Sequence, residues 1–289
     1  MRLNRCPPEN KKPILSCGRF KLPLGQRPLI MGILNVTPDS FSDGGRYVDV
    51  RQAVRRALRM QEEGADLIDI GGESTRPGAR LVPVQEELNR VLPVLEKLQG
   101  KLRIPISVDT SKPEVARDAL REGASLINDV SGLRDSRMAE IVAAAHVPVI
   151  LMHMRGTPLT MQKKNRYRRL IPEIRSELAG SVRKAKAAGI RKENILIDPG
   201  IGFAKQPGDN LKLIRNLKAF KSLGYPVVVG PSRKSFIGFL LGNRVEDRLF
   251  GTAAAVALSV VHGADVIRVH DVAAMRQVAA VSSAIAEVC

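Results

Sequence analysis

Tryptophan is missing from the 289-residue chain, and aromatic side chains make up only 3% of it. That argues against a platform on which nucleic-acid bases stack, and leaves the core to Val, Ile, Leu, Ala and Met. Cysteine is scarce as well: Cys6, Cys17 and Cys289 lie near the ends, an odd number without metal-ligand spacing. A disulfide framework does not fit, and a reducing compartment, the cytoplasm, does. No apolar stretch approaches the ~20 residues that span a bilayer. Pro7, Pro8 and Pro13 interrupt the place where a secretory signal would need an unbroken apolar region.

Acidic residues are also in deficit, 29 Asp and Glu against 46 Lys and Arg, for a net charge of +17. The excess is localised. Residues 1–27 contribute +6 and residues 155–193 contribute +9, leaving +2 for the rest of the chain. A basic surface attracts anions, nucleic acid and anionic lipid non-specifically. The plainer reading is a solvated basic face on a loop and one helix, and nucleic acid is not expected as a partner.

With 44% hydrophobic and 26% charged residues, the composition is that of an ordinary globular protein. Short β-branched runs suited to buried strands occur at 30–34, 67–70, 104–108, 126–128, 147–152, 195–197, 227–229 and 266–269. Amphipathic stretches alternate with them, at 50–63, 85–99, 113–122, 137–145, 172–188, 211–217, 250–262 and 272–287. Gly64, Gly123, Gly189 and Gly263 each follow a helical stretch closely, where a glycine supplies the left-handed turn that ends it. Eight strand–helix units predict an α/β protein, a single-domain (β/α)8 TIM barrel over 28–289. Residues 1–27 form a basic extension, partly a short strand or hairpin, in which 20–24 could plug the barrel bottom. An open doubly wound sheet is the alternative, but Gly200-Ile201-Gly202 has Lys205 where a dinucleotide fingerprint needs its third glycine.

In a barrel the C-terminal strand ends converge on one mouth. Here they carry Asn35, Asp69, Asp109, Asn128 with Asp129, His153, Asp198, Gly230 and His270, with Arg268 just before the last. Any one could be a cap or turn residue, but together they mark a small-molecule site on an otherwise apolar barrel. Asp69 and Asp129 could brace loops, and His153 could be a satisfied barrel residue. Arg268 and His270, two apart on one strand, point the same way. Two long Gly- and Pro-rich loops leave the mouth, at 35–45 and 71–79, and loops of that length are lids or binding loops.

Those loops hold Met31-Gly-Ile-Leu-Asn-Val-Thr-Pro-Asp-Ser-Phe-Ser-Asp-Gly-Gly45 and Gly71-Gly-Glu-Ser-Thr-Arg-Pro-Gly78. Further along come Ser107-Val-Asp-Thr110, Ile127-Asn-Asp-Val130, Met152-His-Met154, Asp198-Pro-Gly-Ile-Gly-Phe203, Ser232-Arg-Lys-Ser-Phe236 and Arg268-Val-His-Asp271. In that order, and over about residues 28–279, the chain resembles the dihydropteroate synthases. The resemblance implies condensation of (7,8-dihydropterin-6-yl)methyl diphosphate with 4-aminobenzoate, giving 7,8-dihydropteroate and diphosphate in folate biosynthesis. It places the pterin on Asp109, Asn128, Asp198 and Lys234, three acceptors and a donor suited to a ring edge that presents both. The diphosphate falls to Arg76, Arg268 and His270, and to Asn35, which matches the family's Mg²⁺ ligand. Asn35, Arg76, Asp109, Lys234, Arg268 and His270 are then the expected catalytic set.

By the same resemblance, 4-aminobenzoate, and hence sulfonamides, would lie against Thr75, Pro77, Phe203, Ser232 and Lys234. Thr37, Asp39, Ser40 and Phe41 belong to a mobile first loop, and a homodimer is expected through late helices that include 250–262. The reaction expected is dissociative: diphosphate leaves first, and the electron-rich pterin stabilises the methylene cation that the weakly nucleophilic amine attacks. The chain departs from the family at Ala204 and Gln206, at Pro231, and over 162–170, which is far more basic than usual. Two other readings are a pterin-binding methyltransferase acting on a corrinoid and a non-catalytic RNA-binding protein. Neither would need Arg76 and the Ser232–Lys234 arrangement.

Overall fold

The computed structural model describes residues 13–37 and 46–288, without the side chains of 46–49. Strand β1 (Ile14–Cys17) and strand β2 (Phe20–Pro23) form an antiparallel hairpin that turns at Gly18, whose φ of 57° suits glycine. Eight parallel strands follow: β3 (Leu29–Asn35), β4 (Leu67–Gly71), β5 (Ile106–Asp109), β6 (Leu126–Asp129), β7 (Val149–Met152), β8 (Ile195–Asp198), β9 (Val228–Val229) and β10 (Val266–Val269). β3 through β8 pair in chain order, β10 pairs with both β3 and β9, and a bridge from Ile197 to Val227 closes the ring. The expected barrel is observed.

Helices α1 (Arg46–Glu62), α2 (Val84–Leu98), α3 (Pro113–Arg121), α4 (Ser136–Ala145) and α5 (Leu170–Ala187) follow the first five strands in turn. After β8 come α6 (Pro207–Arg215) and α7 (Leu217–Lys221), after β9 α8 (Ser235–Leu241) and α9 (Leu249–Val261), and after β10 α10 (Val272–Glu287). Among the described residues no helix is long and apolar enough to cross a membrane.

Three strands start later than expected or lean on a proline. Pro105, Pro148 and Pro226 have no N–H for the ladder, yet their carbonyls accept from Ile68, Ile127 and Ile197 at 3.0–3.1 Å. The strands proper therefore begin beyond them, at Ile106, Val149 and Val228. The stretch 211–217 proves to be two helices broken at Asn216, and α8, an apolar run after Lys234, was not expected at all.

Alternation along each strand sorts the side chains. Ile68 and Ile70 of β4 join the layer between barrel and helices, while Leu67 points inward. The inward residues at the N-terminal strand ends, among them Met31, Leu126, Ile150, Leu196 and Val266, meet Leu15 and Cys17 of the hairpin. The hairpin thus plugs the barrel bottom, and burial pushes the Cys17 thiol up to about 12, too high for a reactive thiolate. Arg27 ties the plug down through two bonds to Asp66, at 2.7 and 2.5 Å.

Candidate active site

One step up the barrel, the inward positions change from apolar to polar. Asp69, Ser107, Asp109, Asn128, Asp198 and Arg268 come from β4, β5, β6, β8 and β10. Arg268 organises them: its Nε donates to Asp69 Oδ2 at 2.6 Å and its Nη2 to Asp109 Oδ2 at 2.7 Å. Asn128 donates to the same Asp69 oxygen at 3.0 Å, so its amide carbonyl is the group left to accept. Asp69 Oδ1, Asp109 Oδ1 and Ser107 Oγ are buried with no hydrogen-bond partner among the described residues. Orphaned acceptors of this kind are rare in folded proteins and mark a place that waits for a ligand's donors.

Burial dominates the electrostatics. It pushes the Asp109 carboxyl up to about 7 against the pull of Arg268, with Asp69 adding repulsion. Asp198, whose Oδ1 accepts from the Gly200 N–H at 2.7 Å, is pushed up to about 6 by the same cause. Lys234 is lowered to about 8 by burial and by the Arg268 charge, which still leaves it mostly protonated at neutral pH. Its stem passes over Gly202, where an added Cβ would come within 2.9 Å of Lys234 Cδ, and its ammonium sits 3.9 Å from the Phe203 ring centroid.

His270 follows Arg268 by two residues. Burial and the Arg268 charge hold it down to about 3, so the imidazole is neutral. Ser232 Oγ lies 2.9 Å from its Nδ1 and accepts from the His270 backbone N–H at 3.2 Å. With the serine hydroxyl donating to Nδ1, His270 offers an Nε2–H donor to the mouth and no positive charge. Ser232 itself is buried beneath His270. Ion pairing of Arg233 with Asp271 at 2.6 Å and a bond from the Arg233 N–H to Thr252 at 3.0 Å hold the turn that presents Lys234.

The second loop rises beside this pocket. Arg76 and Pro77 are exposed and Thr75 is half-buried, and the Arg76 charge is felt at Lys234. The loop base is fastened by Glu73, which accepts from the Val82 N–H at 2.6 Å and from Lys112 at 2.9 Å. Lys112 also pairs with buried Glu87. That cluster was not foreseen, although Glu73 stands inside the quoted Gly71–Gly78 motif. Phe203 packs one side against Val130, Met152, Met154 and Met161, so it is part of a small core as well as a wall under Lys234. Thr37 is half-buried at the end of the first loop's described part, and Asp39, Ser40 and Phe41 lie outside the described residues.

His153 and Asp129 do not join the pocket. Asp129 accepts from the Ser131 and Leu133 N–H groups at 2.8 and 2.7 Å, bracing a loop. His153 bonds Glu177 at 2.9 Å and Lys205 at 3.0 Å. Asp69, whose role was open, holds Arg268 and Asn128 in place.

Asn35 ends β3 beside Gly71, where a Cβ would lie 3.7 Å from Asn35 Oδ1 and 3.8 Å from Asp109 Oδ2. These two oxygens face one narrow space. Among the described residues no group of three or more His, Cys, Asp and Glu is placed to hold a metal by itself. Asn35 Oδ1 is a hard oxygen of the kind Mg²⁺ takes, with its remaining ligands commonly coming from phosphate and water, whereas Asp109 Oδ2 is already held by Arg268 at 2.7 Å.

Comparison with known proteins agrees with this geometry. Residues 31–270 match the family of pterin-binding enzymes. Over 275 residues the chain is 47% identical to the dihydropteroate synthase of Synechocystis sp., covering 94% of this chain and 95% of that one. The Xanthomonas albilineans dihydropteroate synthase, solved with 4-aminobenzoic acid, superposes with a TM-score of 0.90 at 48% identity, covering 95% and 98% of the two chains. The Yersinia pestis dihydropteroate synthase, solved with a sulfonamide drug, superposes with a TM-score of 0.89 at 43% identity, covering 94% and 98%. The chain belongs to the pterin-binding enzymes and, within them, to the dihydropteroate synthases. It is a transferase of folate biosynthesis.

Proposed function

We propose that the barrel mouth catalyses this transfer by dissociative substitution, with the pterin held below and the diphosphate drawn off above. The observation that carries the reading is the Arg268 bridge between Asp69 and Asp109, which leaves buried acceptor oxygens beside a fixed cation. Asp109, Asn128 and Asp198 accept from the amino group and ring N–H donors of the pterin, and Lys234 donates to the ring carbonyl. The bond between the methylene carbon and the bridging diphosphate oxygen breaks, and its electron pair leaves with diphosphate. Arg268, exposed Arg76 and the Nε2–H of neutral His270 stabilise the charge that develops there. Asn35 would hold Mg²⁺ against the diphosphate, where the ion would offset negative charge.

The methylene cation is stabilised by the pterin ring, and the amine nitrogen of 4-aminobenzoate forms the new bond and then loses its proton to the released diphosphate or to water. Thr75, Pro77, Phe203, Ser232 and Lys234 enclose that second substrate in this reading, and catalysis there is largely positioning. Support comes from the Lys234–Phe203 contact and from the 4-aminobenzoic acid in the Xanthomonas albilineans relative. Assay of the purified protein with both substrates, with and without Mg²⁺, tests the assignment of groups. A large heavy-atom isotope effect at the methylene–oxygen bond with little at the amine nitrogen is expected, and the reverse pattern would overturn the dissociative order.

A cytoplasmic homodimer is the assembly this reading favours. Phe239 and Phe250 are 73% and 85% exposed on α8 and α9, and Leu240 and Leu258 line an apolar groove of about 470 Å³ between α6, α8 and α9. Patches of that kind mark interfaces. Light scattering of the purified chain should give twice the monomer mass, and Phe250→Glu should halve it.

A further inference from the structure

Lys205 has no part in the chemistry above, yet it is 4% exposed and forms no ion pair with any described carboxylate. Burial lowers its ammonium to about 7 against the attraction of Asp198 and Glu177, so a lysine in this place asks for a role. All its donors are spent locally: on the Phe203 carbonyl at 2.7 Å, on His153 Nδ1 at 3.0 Å and on the His153 carbonyl at 3.4 Å. His153 in turn reaches Glu177 through Nε2 at 2.9 Å. With Nδ1 accepting from Lys205, the imidazole carries its proton on Nε2 and donates it to Glu177. Burial holds that ring down to about 4, which keeps it neutral and able to accept. An unbroken chain of donors and acceptors therefore runs from α5 to the backbone of Phe203.

The segment so fastened would not keep its shape unaided. Gly200, Gly202 and Ala204 all have left-handed φ angles, 73°, 82° and 49°, and Ala204 pays a steric cost for its own. Side chains from outside the segment pin it one residue at a time. Asn210 accepts from the Gly202 N–H at 2.6 Å, and the Tyr167 hydroxyl donates to the Ala204 carbonyl at 2.9 Å. Lys205 is the group that reaches the carbonyl of Phe203 itself, the residue on which Lys234 rests.

We propose that Lys205 is a positioning residue for the second substrate: bridging His153 and the Phe203 carbonyl, it fixes the Phe203 ring as the wall against which the aryl amine lies. The inference rests on the placement of 4-aminobenzoate against Phe203. It explains why a lysine follows Ala204, and it gives the bond between buried His153 and exposed Glu177 a purpose at a distance from the reacting atoms.

Steady-state kinetics of Phe203→Leu, Lys205→Met and the double variant separate the possibilities. Lys205→Met should raise KM for 4-aminobenzoate about tenfold while KM for the pterin diphosphate and kcat move less than twofold. In the Phe203→Leu background the same change should add almost nothing, because the two residues act on one contact. Lys205→Gln, which keeps a donor for the Phe203 carbonyl without the charge, should fall between and carries the test if the methionine variant does not fold. Equal shifts in both KM values, or an effect that adds fully to Phe203→Leu, would overturn the proposal. An unchanged KM in Phe203→Leu alone would instead remove the placement of 4-aminobenzoate, and the proposal with it.

Discussion

The two ends of the barrel are built from the same strands and obey opposite rules. At the bottom, Leu15, Met31, Leu67 and Leu126 are fully buried and apolar, and the hairpin closes them from water. At the mouth, β4, β5, β6 and β8 bury Asp69, Asp109, Asn128 and Asp198, leave acceptor oxygens unpaired and displace carboxyl protonation upward. Stability is concentrated at one end and a costly arrangement of charge at the other, as expected where preorganised groups wait for a ligand.

The sharpest way to break that comparison is to remove the cation that organises the mouth. Arg268→Met should lower kcat/KM by about 10²- to 10³-fold, the usual loss for one such electrostatic group. Arg268→Lys should recover little of it, since a single ammonium cannot reach Asp69 and Asp109 as the planar fork does. Retention of activity within threefold by either variant in steady-state assays would show that the bridge is structural only.

The opposite end should respond in stability and not in rate. Leu15→Ala removes a fully buried side chain from the plug, and core truncations of this type cost about 2–5 kcal/mol. Urea unfolding should show that loss while both KM values stay within error. A shifted KM for the pterin diphosphate would mean that the plug and the mouth are coupled, and the division drawn here would fail.

Much of this contrast is legible in the sequence, for a physical reason. Parallel strands buried on both faces read as continuous apolar runs, so a polar residue closing almost every one of them stands out, and Asp109, Asn128, Asp198 and Arg268 do converge. What sequence does not carry is which polar group satisfies which. Asp69 looks no different from Asp129, yet one holds Arg268 and the other braces its own loop. The neutral state of His270 depends first on burial, which leaves no mark at positions 268–270, and then on the Arg268 guanidinium, whose nearness two residues away is legible there. Lys205 reads there as a defect in a glycine pattern, and its bonds to His153 and the Phe203 carbonyl exist only once the barrel has closed.

The smallest effect sharpens the comparison at a single atom pair. Asp198→Asn keeps an oxygen to accept from the Gly200 N–H and abolishes the charge that burial opposes. Because the folded carboxyl titrates at about 6, above its ordinary value of 3.8, the folded state holds the proton more tightly than the unfolded one. Its favourable contribution is complete below pH 3.8, declines between there and pH 6, and is gone above. At pH 7.5 the amide variant should therefore unfold later than the parent, by on the order of 3 kcal/mol at most. Attraction to Lys234 is already contained in that value, and near pH 4 the gain should vanish. Above pH 6 the same variant should bind pterin more weakly, because the amide replaces a carboxylate acceptor. A parent at least as stable as Asp198→Asn at both pH values would mean that the charge at the mouth costs the fold nothing, and that its cost had been misplaced.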